Sequence, residues 1–221
     1  MDVIEAINSR FSARAFKPKA VPRETINKIF EAAARTPSWA NSQPWEVFLA
    51  SGEVLEKLRS ANLERFLSGA PRSLEMPGPQ KWPEQIQSRL DRNMAERLRS
   101  VGVEREDKAG RQKLLEYNYR FFDAPVVAFL CMERTLSTWS AFDMGAFSLS
   151  IMLAARRHGV DSMPAVWMTS YPDLIREALA IPTELMILFA IALGYQDEKN
   201  PINRFRSARR PVDEIVRLKG L

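Results

Sequence analysis

The 221-residue chain has one cysteine, one histidine and nine glycines, and each shortage excludes a class of site. A single cysteine, Cys131, cannot form an internal disulfide, and no cluster of cysteine and histidine exists that would hold zinc. His158 directly precedes Gly159 at a predicted helix end, which suits a capping role better than a catalytic triad. The glycines form neither the G-x-G-x-x-G pattern of dinucleotide-binding folds nor the P-loop of nucleotide triphosphatases.

Long apolar runs are also missing, because none approaches the roughly 18–20 residues that a membrane helix needs. The N-terminus carries Asp2 and Glu5 where a secretory signal requires positive charge. We therefore expect a cytoplasmic protein without a membrane partner. The formal net charge of +5 is a small, mostly dispersed excess, with local enrichment only over residues 199–210. Such a patch suits a compact anion as well as a nucleic acid, so a basic nucleic-acid binder remains an alternative at this point.

Hydrophobic periodicity predicts a helix-rich α+β fold with few strands. Helices are predicted over residues 2–9, from Pro22 until Pro37 ends the helix, and over 53–66, 114–122, 139–158 and 172–179. Strands are predicted over residues 45–50, 126–132, 162–168 and 184–193. The spacing over residues 212–218 fits a short strand or helix.

The composition changes after Ala70, where several prolines precede a highly charged helix. One thin apolar seam follows that helix, formed by Ile86, Leu90, Met94, Leu98 and Val101. We interpret this region as a helical excursion at about residues 70–118 from a single domain that covers residues 1–221. Its seam must dock either on the protein's own core or on a partner.

Three polar clusters remain unexplained by core or turn formation. In the first, Arg10, Ser12 and Arg14 alternate, so an extended backbone points all three side chains to one side. Two guanidiniums and a hydroxyl on one face suit a phosphate group, which arginine binds with paired donors.

The second cluster, residues 36–45, places Ser38, Asn41 and Gln43 between Trp39 and Trp45. Its amides can pair with both donors and acceptors, as the edge of a flavin or nucleobase ring requires. The third cluster, residues 203–211, is basic and meets the first only if the fold brings them together.

In the order and type of these motifs the chain resembles the nitroreductase family, particularly its branch that acts on nitrobenzene- and nitrobenzoate-like compounds. The shared motifs are R-x-S-x-R at residues 10–14, P-S-x-x-N-x-Q-P-W at 37–45, G-V-D-S-x-P at 159–164, the Gly194-Tyr195 pair and the tail at 203–211. No single motif is decisive, but the ordered set is specific and spans nearly the whole chain. The excursion also looks like the insertion of that branch.

The resemblance implies a nitroreductase-like fold, with a small, mostly antiparallel sheet flanked by helices, in an intertwined homodimer with FMN at the subunit interface. NADH or NADPH would reduce the FMN and leave before an electron-poor small molecule, such as a nitroaromatic, is reduced in the same pocket. This ping-pong scheme places the chemistry on the flavin and requires no catalytic side chain and no metal. Related branches remove halogen from iodotyrosine or reduce enones and quinones, and these reactions remain alternatives.

Site residues are carried over from the family motif by motif. The implied cofactor-binding residues are Arg10, Phe11, Ser12, Arg14, Pro37, Ser38, Trp39, Asn41, Gln43, Asn118, Pro164, Ala165, Val166, Trp167, Arg206 and Arg209. The arginines and Ser12 would hold the phosphate, whereas the loop at 37–43 would reach the flavin from the other subunit. The segment 164–167 would line one face of the ring, with the backbone N–H of Val166 near N5.

The substrate is expected to stack on Trp39, Phe122 and Trp167. One departure from better-known members concerns the pocket shape, because Ala165-Val166-Trp167 stands where some of them have Ile-Glu-Gly. A backbone contact survives this change of side chains, but the indole of Trp167 alters the shape and polarity of the adjacent pocket.

Overall fold

The structure, a computed structural model, describes residues 1–220 and is built around a four-stranded antiparallel sheet. The strands are β1 (Glu46–Ser51), β2 (Val126–Glu133), β3 (Asp161–Ala165) and β4 (Leu185–Gly194), in the spatial order β1-β2-β4-β3. The helices are α1 (Val3–Ser9), α2 (Arg23–Ala33), α3 (Gly52–Leu67), α4 (Glu84–Ser100), α5 (Lys108–Tyr119), α6 (Thr138–Arg157) and α7 (Pro172–Leu179). This architecture confirms the predicted α+β class with its small antiparallel sheet.

The central strand β2 is apolar on both faces because helices cover both sides of the sheet. Val127, Phe129 and Cys131 enter the core on one side, and Ala128 and Leu130 enter the core on the other. Burial raises the pKa of Cys131 to about 12, so the thiol remains protonated and acts as a small core residue. Within residues 1–220, no helix is both long and apolar enough to span a bilayer.

Several predicted boundaries differ from the structure. The strand predicted over 162–168 ends at Ala165, and Val166–Thr169 form a 3-10 turn instead. Side-chain hydroxyls stabilise this turn, since Thr169 Oγ1 donates to the carbonyl of Val166 and Ser170 Oγ donates to the carbonyl of Trp167. The hydrophobic pattern predicted a longer strand because it does not register such local competition.

The observed ends of two helices also differ from the predicted ends, again because of local side-chain hydrogen bonds. The helix predicted over 114–122 begins at Lys108, where the Asp107 side chain caps the first turn by accepting from the N–H of Gly110. The helix predicted to continue until Pro37 ends at Ala33, whose carbonyl accepts from Thr36 Oγ1 at 2.7 Å. Residues 212–218 contain only a 3-10 turn at Val212–Glu214.

The N-terminal segment joins the sheet beside β3. Ser12 forms a parallel β-bridge with Ser162, and Phe16 forms an antiparallel β-bridge with Gln196. Close packing at this junction requires glycine at position 194, since a Cβ there would lie 2.6 Å from Pro125 Cδ and 2.9 Å from Phe16 Cδ1. The segment 10–14 is thereby fixed at the edge of the sheet.

The excursion is attached to the core by Glu75, which lies in the irregular stretch before α4. Its side chain is 13% exposed and accepts from the N–H of Ile187 at 2.6 Å, from Arg176 at 2.8 Å and from Arg134 at 2.6 Å. Burial opposes ionisation of this carboxyl, but the Ile187 N–H and the two guanidiniums hold its pKa below the usual value. Glu75 therefore fixes the excursion to β4 and α7 in its charged form.

Replacing Glu75 with glutamine is expected to lower the free energy of unfolding by about 1.5–3 kcal/mol at neutral pH, because charge-assisted hydrogen bonds are lost. The folded-state pKa is depressed, so the contribution is complete above the unfolded pKa near 4.5 and disappears as the pH falls through the folded value. Urea unfolding at neutral pH and at successively lower pH below 4.5 tests this expectation. The surface control Glu53→Gln should change stability by less than about 0.5 kcal/mol, and a Glu75→Gln deficit that grows in acid would contradict the assignment.

Candidate active site

Two of the predicted clusters meet in one cavity of about 660 Å³, between the N-terminal segment and the tail. Its polar wall is formed by Arg10, Ser12, Arg14, Arg206 and Arg209, and its apolar wall includes Phe11, Leu149 and Leu153. Residues almost 200 positions apart in sequence thus line the same space, which sequence spacing alone did not establish. We refer to this space as the arginine cavity.

Asn203 fastens the tail to the N-terminal segment. This side chain is 4% exposed, and its Oδ1 accepts from the N–H of Arg14 at 2.7 Å and of Ala15 at 3.3 Å. Its Nδ2 donates to the carbonyls of Ala15 at 2.7 Å and Asp197 at 2.9 Å. Asn203 was not among the predicted site residues, although its place at the start of the basic tail motif was a signal for it.

The arginine cavity has a strong excess of positive charge. Among the described residues, no carboxylate forms an ion pair with any of the four arginines of this cavity, Arg10, Arg14, Arg206 and Arg209. Burial, followed by repulsion from Arg97 and Arg206, lowers the pKa of Arg14 to about 10, so it stays protonated at neutral pH. Its Nε is buried and has no hydrogen-bond partner within residues 1–220. Such an arrangement fits a multiply charged anion.

Aromatic rings and main-chain carbonyls orient two of these guanidiniums. The guanidinium carbon of Arg206 lies 3.6 Å from the ring centroid of Phe11, and its Nη1 donates to the carbonyls of Asn203 and Phe205. Arg14 lies over the Phe205 ring at 5.9 Å. Phe11 therefore contributes by positioning Arg206. Because the cations converge in one concavity, the cluster favours a compact anion over an extended nucleic-acid backbone.

The loop at residues 37–43 is held in an unusual backbone conformation. Ala40, Asn41 and Gln43 have φ of 51°, 57° and 47°, a left-handed region that residues other than glycine rarely adopt. Gln43 supports the loop from within, because its N–H donates to Ser38 Oγ at 2.9 Å and its Nε2 donates to the carbonyl of Asn41. Backbone strain of this kind is frequent at functional sites.

Asp143 anchors the start of the same loop. Its carboxylate, in a residue that is 4% exposed, accepts from the N–H of Trp39 at 3.1 Å. The Trp39 ring is 66% exposed and lies 5.9 Å from that of Trp139. Sequence reasoning missed Asp143, although a lone acid inside an apolar helix indicated it.

This loop does not reach the arginine cavity of its own chain. Pro37, Ser38 and Trp39 line a separate apolar space of about 560 Å³ with Trp139 and Phe142 of α6. Both spaces border α6, since Ala146 lines the first and Leu149, about one turn later, lines the arginine cavity. Within one chain the two predicted parts of the site therefore line separate, neighbouring spaces.

The segment 164–167 follows the bridge to Ser12 and ends in a surface turn. Val166 and Trp167 are 42% and 36% exposed, and the Arg72 guanidinium lies 4.5 Å from the Trp167 ring centroid. Helix α5 packs against this turn and carries Asn118, whose Nδ2 donates to the carbonyl of Leu115. Pro164, Ala165 and Asn118 are partly buried, so they lie near the surface as well.

Phe122 lies in the protein core and not at the surface where a substrate contact was expected. Its side chain is 2% exposed and belongs to the core beneath β2, with a left-handed φ of 56°. This placement favours core packing and corrects the expectation that the ring stacks on a substrate. The described residues contain no group of three or more His, Cys, Asp or Glu side chains that could hold a metal ion.

Comparison with known proteins identifies the family to which this chain is similar. The family model described as the nitroreductase family matches residues 7–195. The chain is 32% identical over 216 residues to a 4-nitrobenzoate reductase of Nocardioides sp. (strain LMS-CY), covering 95% of this chain and 87% of that protein. It is 32% identical over 217 residues to a chloronitrobenzene nitroreductase of Comamonas testosteroni, covering 96% and 94%.

A solved structure agrees with the same assignment. The FMN-dependent nitroreductase NfnB from Mycobacterium smegmatis, crystallised in complex with NADPH, superposes with a TM-score of 0.93 at 28% sequence identity. The superposition covers 98% of this chain and 97% of that one.

Proposed function

This chain belongs to the nitroreductase family, and from that premise we propose that it is an FMN-dependent NAD(P)H oxidoreductase that reduces nitroaromatic or similarly electron-poor small molecules. The observation that carries the proposal is the arginine cavity, with its uncompensated cations and the buried, unpartnered Nε of Arg14. The named relatives act on nitrobenzoate and chloronitrobenzene, and NfnB was crystallised with NADPH.

The residues present fit FMN. Arg10, Arg14 and Arg209 would hold its phosphate together with Ser12, and Arg206 would be kept in place by Phe11. A phosphate dianion would satisfy the orphaned donor of Arg14 and neutralise a cluster whose members repel one another.

When bound, FMN supplies the two-electron redox chemistry, and the protein supplies position, electrostatics and shape. The exposed turn Val166–Trp167 offers a backbone and an indole surface to a planar ring. Asn118, on the helix that packs against this turn, offers an amide that can donate and accept. The strained loop at residues 37–43 would close the site from the other subunit, and Asp143 holds the position of that loop.

We further propose that the functional unit is a homodimer. Helix α6 presents a stripe of exposed apolar side chains in which Trp139 is 62%, Phe142 69% and Leu149 45% exposed. Helix α1 adds Val3 and Ile4, at 69% and 65% exposed. Apolar surface of this extent marks a protein interface.

A two-fold axis across α6 would complete the site. In an isologous dimer the two α6 helices would lie antiparallel, so the Phe142 end of one would lie beside the Leu153 end of the other. The loop at 37–43 of one subunit would then approach the arginine cavity of its partner. This arrangement would join two spaces that remain separate within one chain. The single cysteine, unable to form an internal disulfide, supports a cytoplasmic location.

Steady-state kinetics test the proposed reaction. FMN-loaded protein should oxidise NADPH or NADH only slowly under anaerobic conditions until 4-nitrobenzoate or nitrobenzene is added. Varying the reductant at several fixed nitroarene concentrations should give parallel double-reciprocal lines, because both ligands use the same pocket in turn. Intersecting lines would contradict the ping-pong scheme. Absence of nitroarene-dependent oxidation with either reductant would contradict the function itself.

A further inference from the structure

A further cavity, of about 570 Å³, lies between α4, the connection that follows it and Trp167. The excursion forms most of its wall, including the seam residues Leu90 and Met94, which are 40% and 43% exposed. The predicted seam thus faces this space instead of packing fully on the core, and of its α4 members only Leu98 is buried. We refer to this space as the excursion cavity.

Arginines dominate the charge of the excursion cavity. Arg97, Arg105 and Arg111 line it, and in the described part of the chain none of them pairs with a carboxylate. Asp91 is the one acidic residue among the lining residues, and it accepts a hydrogen bond from Gln87 at 3.0 Å. The cavity therefore has a net positive charge.

Two of these arginines have defined positions. Arg111 Nη1 donates to the carbonyl of Arg105 at 3.1 Å, which ties α5 to the preceding connection. Arg97 donates to Met94 Sδ at 3.0 Å, and burial lowers the pKa of its guanidinium. Helix α4 packs against the 3-10 turn Pro201–Asn203 at the start of the tail, so the excursion cavity lies near the arginine cavity. After burial, repulsion from Arg97 contributes to the lowered pKa of Arg14.

Aromatic side chains complete the wall. Trp82 and Trp167 both line the cavity, with 41% and 36% of their surfaces exposed. Indole faces bind flat rings by stacking, and guanidiniums bind carboxylate and phosphate oxygens with paired donors. The combination suits a planar ring that carries an oxyanion at one end.

We propose that the excursion cavity is a specificity site that binds the oxyanion of a ring-bearing ligand, with Arg105 and Arg111 as the principal anion-binding groups and Trp82 and Trp167 as the flanking rings. The inference rests on the proposed function, since Trp167 also borders the site assigned to the flavin. Two ligands of that reaction share this chemistry. One is an aromatic carboxylic acid substrate, and the other is the adenosine phosphate portion of NADPH.

The test uses the FMN-loaded protein and two variants of equal charge. Arg105→Gln/Arg111→Gln removes the proposed anion-binding groups. Lys108→Gln/Lys113→Gln removes the same charge from exposed positions of α5 that do not line the cavity. Calorimetry measures binding of benzoate against neutral benzamide and of NADP⁺ against NAD⁺, and steady-state KM values are compared for 4-nitrobenzoate against nitrobenzene and for NADPH against NADH.

The arginine variant should weaken binding of one anionic probe about tenfold or more, while its less charged counterpart and the lysine variant change by less than about twofold. Loss for benzoate and nitrobenzoate identifies the acid substrate as the ligand, and loss for NADP⁺ and NADPH identifies the nucleotide. Asp91→Asn should tighten the same probe. Equal changes in both members of each pair, or equal effects of the two variants, overturn the proposal. Because calorimetry needs no turnover, a protein that binds these probes but reduces no nitroarene would refute the proposed reaction and leave the anion site standing.

Discussion

Replacing Arg14 and Arg209 together with alanine is expected to raise the dissociation constant for FMN at least about a hundredfold, since each charge-assisted contact to phosphate contributes about 1.5–3 kcal/mol. The buried Nε of Arg14 has no partner within residues 1–220, and mutual repulsion accompanies burial in lowering its pKa. Removing both charges therefore relieves electrostatic repulsion in the apoprotein. Arg14 is repelled by Arg97 and Arg206, and Arg209 repels Arg10. Its free energy of unfolding should be unchanged or higher, although that of the FMN-loaded form falls through weaker ligand binding.

Fluorescence titration of apoprotein with FMN measures the first effect, and urea unfolding with and without FMN measures the second. Arg23→Ala is the matched control, because this arginine is exposed at the start of α2 and lines neither the arginine cavity nor the excursion cavity. It should leave FMN affinity within about twofold of the original protein. Undiminished FMN affinity in the double variant would exclude the arginine cavity as the phosphate site.

Phe142→Asp is expected to convert the proposed homodimer to a monomer and to reduce FMN binding at the same time. Phe142 is 69% exposed in one chain and lies at the centre of the apolar stripe of α6. Burying a carboxylate there should cost about 2–4 kcal/mol of association free energy, which corresponds to roughly a 30- to 1,000-fold weaker dimer. FMN binding should fall because the loop at 37–43 would no longer be supplied by the partner.

Light scattering after size-exclusion chromatography reports the oligomeric state, and FMN titration reports the site. Ile4→Asp, on the exposed apolar face of α1 and outside the arginine cavity, should act in the same direction. Val54→Asp changes an exposed apolar residue in the first turn of α3 and should leave the dimer intact. A Phe142→Asp dimer would refute the interface, whereas a monomer with full FMN affinity would refute a site shared between subunits.

The parts of the fold that depend on local pattern could be predicted from sequence. The apolar run of β2 was placed within one residue, and Cys131 was correctly assigned to the core. The error in β3 has a local cause that hydropathy does not capture, because hydroxyls of Thr169 and Ser170 stabilise a turn in an otherwise apolar run. Boundaries set by side-chain capping are generally the least predictable.

The candidate site was only partly accessible for a different reason. Motif order identified the R-x-S-x-R segment and the basic tail, but their meeting depends on Asn203, which joins positions almost 190 residues apart. Arg97 is one of several basic residues on a charged helix, and nothing in its neighbourhood distinguishes it. Only the folded chain shows its proximity to Arg14 and to Trp167.

The most direct test of the central claim is the visible absorption spectrum of the protein after incubation with FMN and removal of the excess. We expect flavin absorption bands that bleach when NADPH or NADH is added without oxygen and that return when 4-nitrobenzoate is added. A colourless protein that retains no FMN would exclude FMN as its cofactor, and the arginine cavity would then have to serve a different anion.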